Sequence, residues 1–145
     1  MLRRATRIPG REWLDFAHAQ WALVVARARL RFRPPGWLVT RGLPPDESTP
    51  TDDFAPRATE LARAVDRAAR YGPSRPSCLM RALALQHLLR AAGIPDGRIR
   101  IGVRRDAAGE VGAHAWVTCG SLVFDASDDN GPEYTVLKDL RVEWL

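Results

Sequence analysis

The chain has 145 residues, 46% of them hydrophobic, and its 22 basic and 17 acidic side chains give a formal net charge of +5. This length predicts one domain with a core that needs neither disulfides nor metal. No basic run with interleaved aromatic residues marks a nucleic-acid surface, and no segment approaches the ~20 apolar residues of a transmembrane helix. We therefore expect a cytoplasmic protein with no integral membrane segment and no nucleic-acid partner.

The N-terminal half of the chain is predicted to form two helices. Residues 11–33 have an amphipathic pattern that ends in a run of arginines, and residues 34–53 are rich in Pro, as in a loop. Thr51 or Asp52 is expected to cap a second helix that runs to about Arg70. The predicted apolar positions are Trp13, Phe16, Ala17, Trp21, Leu23 and Val24 in the first helix, and Phe54, Ala58, Leu61, Val65 and Ala68 in the second.

The arginine-rich helix has two possible uses. Its apolar and basic stretch, residues 13–33, is a candidate docking surface for a partner. For Trp13 and Trp21, however, packing against the core of the chain itself is the favoured interpretation. We therefore expect both indole rings to be buried.

A third helix is predicted to begin at or near Cys78. Residues 73–77 contain two prolines and cannot be helical throughout. After them, apolar residues recur at helical spacing, at Leu79, Ala82, Leu85, Leu88 and Leu89. Gly93 is expected to end this helix in the left-handed conformation. The position of Cys78 matters, because free N–H groups and the dipole at a helix N-terminus favour a thiolate and can stabilise an oxyanion.

Two short apolar runs, residues 113–119 and 121–124, predict a β-hairpin that turns at Cys119-Gly120. That turn places His114 directly opposite Asp125, with their Cβ atoms about 5 Å apart on one face of the sheet. Trp116 lies on the same face as His114 and could line a substrate cleft or belong to the core. Cys119 points to the other face, as a packing residue or an exposed one at the turn.

Cys78, His114 and Asp125 together supply a nucleophile, a base and a carboxylate that orients the base. An acyl-transfer enzyme such as a cysteine protease needs these three groups within hydrogen-bond reach of one another. His87 lies nine positions after Cys78 on the same helix, about half a turn out of phase, so a structural or surface role is favoured for it, as for His18. No metal-ligand spacing or phosphate-binding loop is present, so we expect no cofactor.

Four short motifs resemble the transglutaminase-like cysteine-peptidase superfamily. They are SCLMRALAL (residues 77–85), LLRAAGIP (88–95), IGV (101–103) and AHAWV (113–117). Within that superfamily the closest likeness is to the leader peptidases of lasso-peptide biosynthesis, the B-protein type. The catalytic Cys and His of that family match Cys78 and His114. Its Asp matches Asp125 best, with Asp128 and Asp129 close enough to be alternatives.

The resemblance implies an α+β fold with a papain-like, transglutaminase-type core, in which N-terminal helices and a small antiparallel sheet pack on the Cys78 helix. Residues 1–145 are then a single domain, with a helical N-terminal region (1–70) and a catalytic core (71–145). The implied substrate is a ribosomally made lasso-peptide precursor, cut between its leader and its core peptide. A small leader-recognition protein and an asparagine-synthetase-like cyclase are the implied partners, since residues 1–70 do not resemble the strand-containing recognition domain.

Two other functions stay open. The same triad would serve acyl transfer on Gln side chains, as in a transglutaminase or a deamidase. A non-catalytic docking module of a peptide-maturation complex is the third interpretation. A scaffold needs none of Cys78, His114 and Asp125, so their joint presence favours an enzyme.

Overall fold

The computed structural model describes residues 9–32, 53–73, 75–94, 97–105 and 107–124, and the backbone of residues 135–140. In this part of the chain, three helices precede an antiparallel sheet, which confirms the predicted α+β class. The helices are α1 (Gly10–Phe32), α2 (Ala55–Tyr71) and α3 (Cys78–Ala91). The strands are β1 (Arg98–Arg105), β2 (Val111–Cys119), β3 (Leu122–Phe124) and β4 (Thr135–Leu140).

The central helix of the fold is α3. Every residue from Ala82 to Leu89 is buried except His87. A helix that is apolar on nearly all sides is stable only where neighbours cover all of them, and α1, α2, β1 and β2 pack around this one. The buried Gln86 side chain donates to the Gly97 carbonyl at 2.9 Å, which ties α3 to the chain entering β1. The start of α3 is therefore held firmly between the helices and the sheet.

The helix α3 begins at Cys78 and is followed by Gly93, as the sequence predicted, and capping residues fix both of its ends. Ser77 is the extended N-cap residue, and its hydroxyl accepts a hydrogen bond from the Met80 N–H at 3.3 Å. At the other end Gly93 has a φ of 74°, in the left-handed region. The N–H of Gly93 bonds to the Arg90 carbonyl and that of Ile94 to the Leu89 carbonyl, the pair of bonds that defines a Schellman motif.

The helices α1 and α2 pack together through small side chains, and this overturns one expectation. Six alanines in these two helices are at most 1% exposed, namely Ala19, Ala22, Ala26, Ala58, Ala64 and Ala68. Trp13 and Trp21, in contrast, are 58% and 65% exposed, so the prediction that they pack in the core is wrong. Interiors are close-packed, and an interface built on alanines leaves no room for an indole ring.

The end of α2 shows how closely the first two helices approach each other. The Gln20 amide donates to the Ala68 carbonyl at 3.0 Å, and the Gly72 N–H reaches the same carbonyl. A Cβ at Gly72 would lie 2.5 Å from the Gln20 amide nitrogen and from the Ala68 oxygen, so no larger residue fits without a shift. Glycine therefore ends α2 and starts the short connection to α3.

The predicted start of α2 is wrong by a few residues. The N-cap is Phe54, which makes no side-chain capping bond, and Pro56 lies in the first turn. A cap at Asp52 would put Pro56 at the fourth helical position, where the missing N–H and the ring disfavour a helix. Thr51 and Asp52 themselves lie outside the described residues. The predicted apolar face is otherwise confirmed, since Ala58, Leu61, Val65 and Ala68 are buried.

Two ion pairs join α1 to α2. Arg57 donates to both carboxylate oxygens of Asp15, at 2.7 and 2.9 Å, and Arg67 donates to Glu12 at 2.9 Å. The hydrogen bond from Arg57 is the main reason why the pKa of the buried Asp15 carboxyl is held below its usual value of 3.8. The same bond raises the pKa of Arg57. Neither α1, with its 23 residues, nor any other helix in the described residues has the length and apolarity needed to cross a membrane.

The strand order is β3-β2-β1-β4, and all neighbours are antiparallel. Cys119 pairs with Leu122 and Val117 with Phe124, so the hairpin turns at Gly120-Ser121 instead of Cys119-Gly120. The turn needs positive φ at its first position, and Gly120 supplies it with a φ of 57°. Cys119 stays in the strand, where it is buried, which confirms its packing role.

Candidate active site

The structure places Cys78 at the first residue of α3, directly after its N-cap Ser77. The Ser77 carbonyl accepts the first intrahelical bond, from the Arg81 N–H at 3.0 Å. The backbone N–H groups of the first helical turn have no partner inside the helix. Cys78 is half-buried and is a free thiol. A partly accessible thiol at this position has the surroundings of a reactive cysteine.

Cys78 lines a cavity of about 270 Å³ between α2, α3 and the β2–β3 hairpin. Its apolar side includes Ala82, Leu85, Val117 and Phe124, and its polar side includes Thr59, Arg63, Asp66 and Arg81. This volume is near the lower end of the range for small-molecule sites. The cavity can therefore hold about one large side chain next to the thiol.

The polar side of the cavity is an ion-pair cluster that sequence reasoning missed. Asp66 accepts a hydrogen bond from Arg81 and, at 3.2 Å, forms an ion pair with Arg70. The Nε of Arg81 is buried and has no hydrogen-bond partner among the described residues. Arg81 follows Cys78 by three positions, so helical spacing alone could have placed it on the same side. Asp66 reaches the cavity only because of the way α2 packs against α3, and no local sequence pattern indicates that packing.

His114 lies on β2 opposite Gly102 of β1, so no side chain stands across from the imidazole in that pair. Its ring stacks on Trp116, with centroids 5.9 Å apart and an interplanar angle of 22°. Trp116 in turn lines the cavity, and His114 is not among the lining residues. The structure therefore brings Cys78 and Trp116 to one cavity and places His114 beside Trp116, behind the cavity wall.

The third predicted member of the site, Asp125, lies outside the described residues, as do Asp128 and Asp129. The register that put His114 opposite Asp125 is wrong, because the observed β2–β3 pairing differs from it by two residues. A shift of two preserves the face on which each side chain lies. The role of Asp125 therefore stays a prediction.

The remaining predicted site candidates lie elsewhere. His87 sits on the unbroken α3, and burial together with Arg29 and Arg90 lowers the pKa of its imidazole below 6.5. Continuity of the helix confirms that His87 cannot serve as the base for Cys78. His18 is exposed on α1. Among the described residues, no group of three or more His, Cys, Asp or Glu side chains could hold a metal ion.

Comparison with known proteins identifies a family. A family model described as the transglutaminase-like superfamily matches residues 20–139. This range includes most of α1 and all of α2, α3 and the first three strands, and extends beyond the motifs that carry the resemblance in the sequence. No curated protein and no solved structure shows significant similarity to the chain.

Proposed function

Because the chain belongs to the transglutaminase-like superfamily, we propose that it is a cysteine endopeptidase with Cys78 as its nucleophile. One observation carries this proposal: Cys78 is the first residue of a central helix and lines a cavity next to Trp116. The superfamily includes cysteine proteases and acyl transferases, and both form a thioester on such a thiol. The match spans both proposed regions, so we further propose that residues 1–145 act as one catalytic domain.

In the proposed mechanism His114 is the base. It takes the Cys78 proton, the thiolate attacks a peptide carbonyl, and the first-turn N–H groups of α3 stabilise the oxyanion. The imidazolium then gives its proton to the leaving amine, and water hydrolyses the thioester. The stack on Trp116 supports this role, because it brings the imidazole to the wall that Cys78 shares. For this step the imidazole must come within ~3 Å of the Cys78 thiol, so the mechanism requires His114 to reach the cavity from its place beside Trp116 when substrate binds.

Asp125 is the proposed orienting acid. It follows Phe124, the last residue of β3, and β3 is the direct neighbour of the strand that bears His114. A carboxylate there would hold the imidazole tautomer and stabilise its cation.

The proposed substrate is a lasso-peptide precursor, from which the enzyme removes the leader. The motifs around Cys78 and His114 support this choice. A small leader-recognition protein and an asparagine-synthetase-like cyclase are the proposed partners. We propose the cytoplasm as the compartment, since its reducing conditions keep the catalytic thiol of Cys78 from being oxidised to a disulfide.

The test is precursor cleavage followed by mass spectrometry. Cys78→Ala should abolish leader release while the circular dichroism spectrum stays unchanged, and Cys78→Ser should be nearly inactive because a hydroxyl is less acidic than a thiol. Cys119→Ala is the matched control and should retain activity, since Cys119 packs in the core away from the cavity.

Two results would overturn the assignment. Cleavage at the wild-type rate by Cys78→Ala would exclude Cys78 as the nucleophile. A mass change on a Gln side chain, with no break in the peptide, would instead identify the enzyme as a transglutaminase or deamidase, which the same thioester chemistry permits.

A further inference from the structure

The outward face of α1 is apolar over most of its length. Leu14, Trp21 and Val24 are 61%, 65% and 56% exposed, and Phe32 at the end of the helix is 79% exposed. Ala17 and Ala28 lie between them and are exposed as well. Scattered apolar residues are normal on a protein surface, but a continuous row of large ones marks an interaction site.

The exposed residues follow the spacing of a helix–helix contact. Leu14, Ala17, Trp21, Val24 and Ala28 recur at intervals of three and four, within an arc of about 80° on the helix. The core face of α1, centred on Ala19 and Ala26, lies half a turn away. We call these five residues the outer stripe. The small side chains of Ala17 and Ala28 leave gaps between the large ones along it, and such gaps can receive the side chains of a second helix.

The outer stripe is bordered by positive charge. The only two acidic residues of α1 are Glu12 and Asp15, and both are engaged by arginines of α2. Arg27 and Arg31 are exposed beside the stripe. Arg29 and Arg90 lie near the same end of the helix, close enough to act on His87. An acidic partner would meet complementary charge along this face, and a basic one would be repelled.

A hollow of about 200 Å³ lies beside the N-terminal end of the outer stripe. It is lined by the rings of Trp13, Phe16 and Tyr71 and by the Glu12–Arg67 ion pair. Trp13 and Phe16 meet edge to face, with centroids 6.1 Å apart, and Tyr71 is 79% exposed. A pocket of aromatic rings next to an apolar row can receive one anchoring side chain of a docked helix.

We propose that the outer stripe docks an amphipathic helix of a partner protein, whose apolar face is flanked by Glu or Asp. The narrow row with small residues at Ala17 and Ala28 suits the close approach of a helix, whereas membrane-surface helices present a broad apolar face. If a second copy of this chain docked through its own outer stripe, the arginines of the two α1 helices would repel each other. Both carboxylates of α1 are already paired with arginines of α2. The proposal does not depend on the peptidase assignment.

The experiment uses the full chain and two synthetic peptides of about three heptads. Both have Leu at the two core positions of each heptad; one has Glu at the flanking positions and the other has Lys. Fluorescence anisotropy should show that the Glu peptide binds at least about tenfold more tightly than the Lys peptide. The double substitution Trp21→Ser/Val24→Ser should weaken Glu-peptide binding by a similar factor, and Arg27→Gln/Arg31→Gln should remove the preference for Glu.

Val111→Ser is the matched control, since Val111 is an equally exposed apolar residue, at 62%, but belongs to β2 and not to the outer stripe; it should leave peptide binding unchanged. Three results would overturn the proposal. The first is equal affinity of the wild-type chain for both peptides, or equal affinity of the wild type and of Trp21→Ser/Val24→Ser for the Glu peptide. The second is sedimentation with phosphatidylglycerol vesicles in place of peptide binding, which would make the stripe a membrane contact. The third is a dimer in light scattering that the same double substitution abolishes.

Discussion

At the residue scale, the candidate site depends on two side chains whose surroundings differ. Cys78 sits at a helix start, where its own N–H and that of Leu79 have no partner inside the helix, whereas His114 lies within a strand and stacks on Trp116. The proposed nucleophile is thus positioned by a backbone feature and the proposed base by an aromatic neighbour. In the proposed mechanism the orienting acid would therefore have to turn the imidazole toward the cavity and hold its tautomer.

The proposal that Asp125 is the orienting acid can be tested directly. Asp125→Asn should reduce turnover by about 10²–10⁴-fold, by analogy with a triad Asp that sets the tautomer of its His. Asp128→Asn, which changes a carboxylate three positions further on, should be close to neutral. Steady-state cleavage of the precursor by both variants checks this, and the reverse ranking would transfer the role to Asp128.

At the element scale, local signals predicted α3 correctly because its ends depend on nearby residues. Ser77 caps one end and Gly93 ends the other, and neither needs information from a distant part of the chain. The predicted register of the β2–β3 hairpin was wrong by two residues. The register depends on which residue adopts positive φ in the turn, and Gly120 does so at the first turn position. The predicted burial of Trp13 and Trp21 in α1 was wrong because α1 contacts α2 closely through alanines. The hydrophobicity of the two indole rings could not reveal that contact.

The contact between α1 and α2 carries a stability prediction. Asp15 is 6% exposed and accepts two hydrogen bonds from Arg57. Asp15→Asn should therefore lower the free energy of unfolding by about 1.5–3 kcal/mol, the usual contribution of a hydrogen bond to a charged group. Glu60→Gln is the matched control, because Glu60 bonds to the same guanidinium at 3.1 Å but is exposed. Its loss should be at most about 1 kcal/mol.

The Asp15–Arg57 ion pair should also make the stability of the fold depend on pH. Since Arg57 holds the pKa of folded Asp15 below 3.8, the unfolded chain takes up a proton first as the pH falls. The stabilisation is therefore fully present well above pH 3.8 and is lost as the pH falls below 3.8 and through the lower folded pKa. Urea unfolding at neutral and acidic pH should show the gap between wild type and Asp15→Asn closing only in that acidic range. A gap that is constant down to the lowest pH would contradict the pairing.

At the scale of the whole molecule, the proposed enzyme has two surfaces with different capacities. The cavity beside Cys78 is about 270 Å³ and holds little more than one side chain, whereas the outer stripe of α1 runs along most of a helix of 23 residues. Substrate contacts limited to the cavity give little binding energy for selecting one precursor among all cellular peptides. A second module that grips the distant leader would raise the local concentration of the cleavage site into the millimolar range.

We therefore predict that the isolated chain cleaves its precursor poorly until a leader-recognition protein is added. The assay compares initial cleavage rates with and without that protein, at a precursor concentration low enough for delivery to limit the rate. If the recognition protein docks on the outer stripe, Trp21→Ser/Val24→Ser should lower the stimulated rate to the basal one. The basal rate should stay unchanged, because both residues are exposed on α1 and neither lines the cavity. Val111→Ser should respond as the wild type does. Equal and efficient cleavage with and without the recognition protein would show that this chain selects the precursor by itself, and the two-protein system would have to be abandoned while Cys78 kept its role.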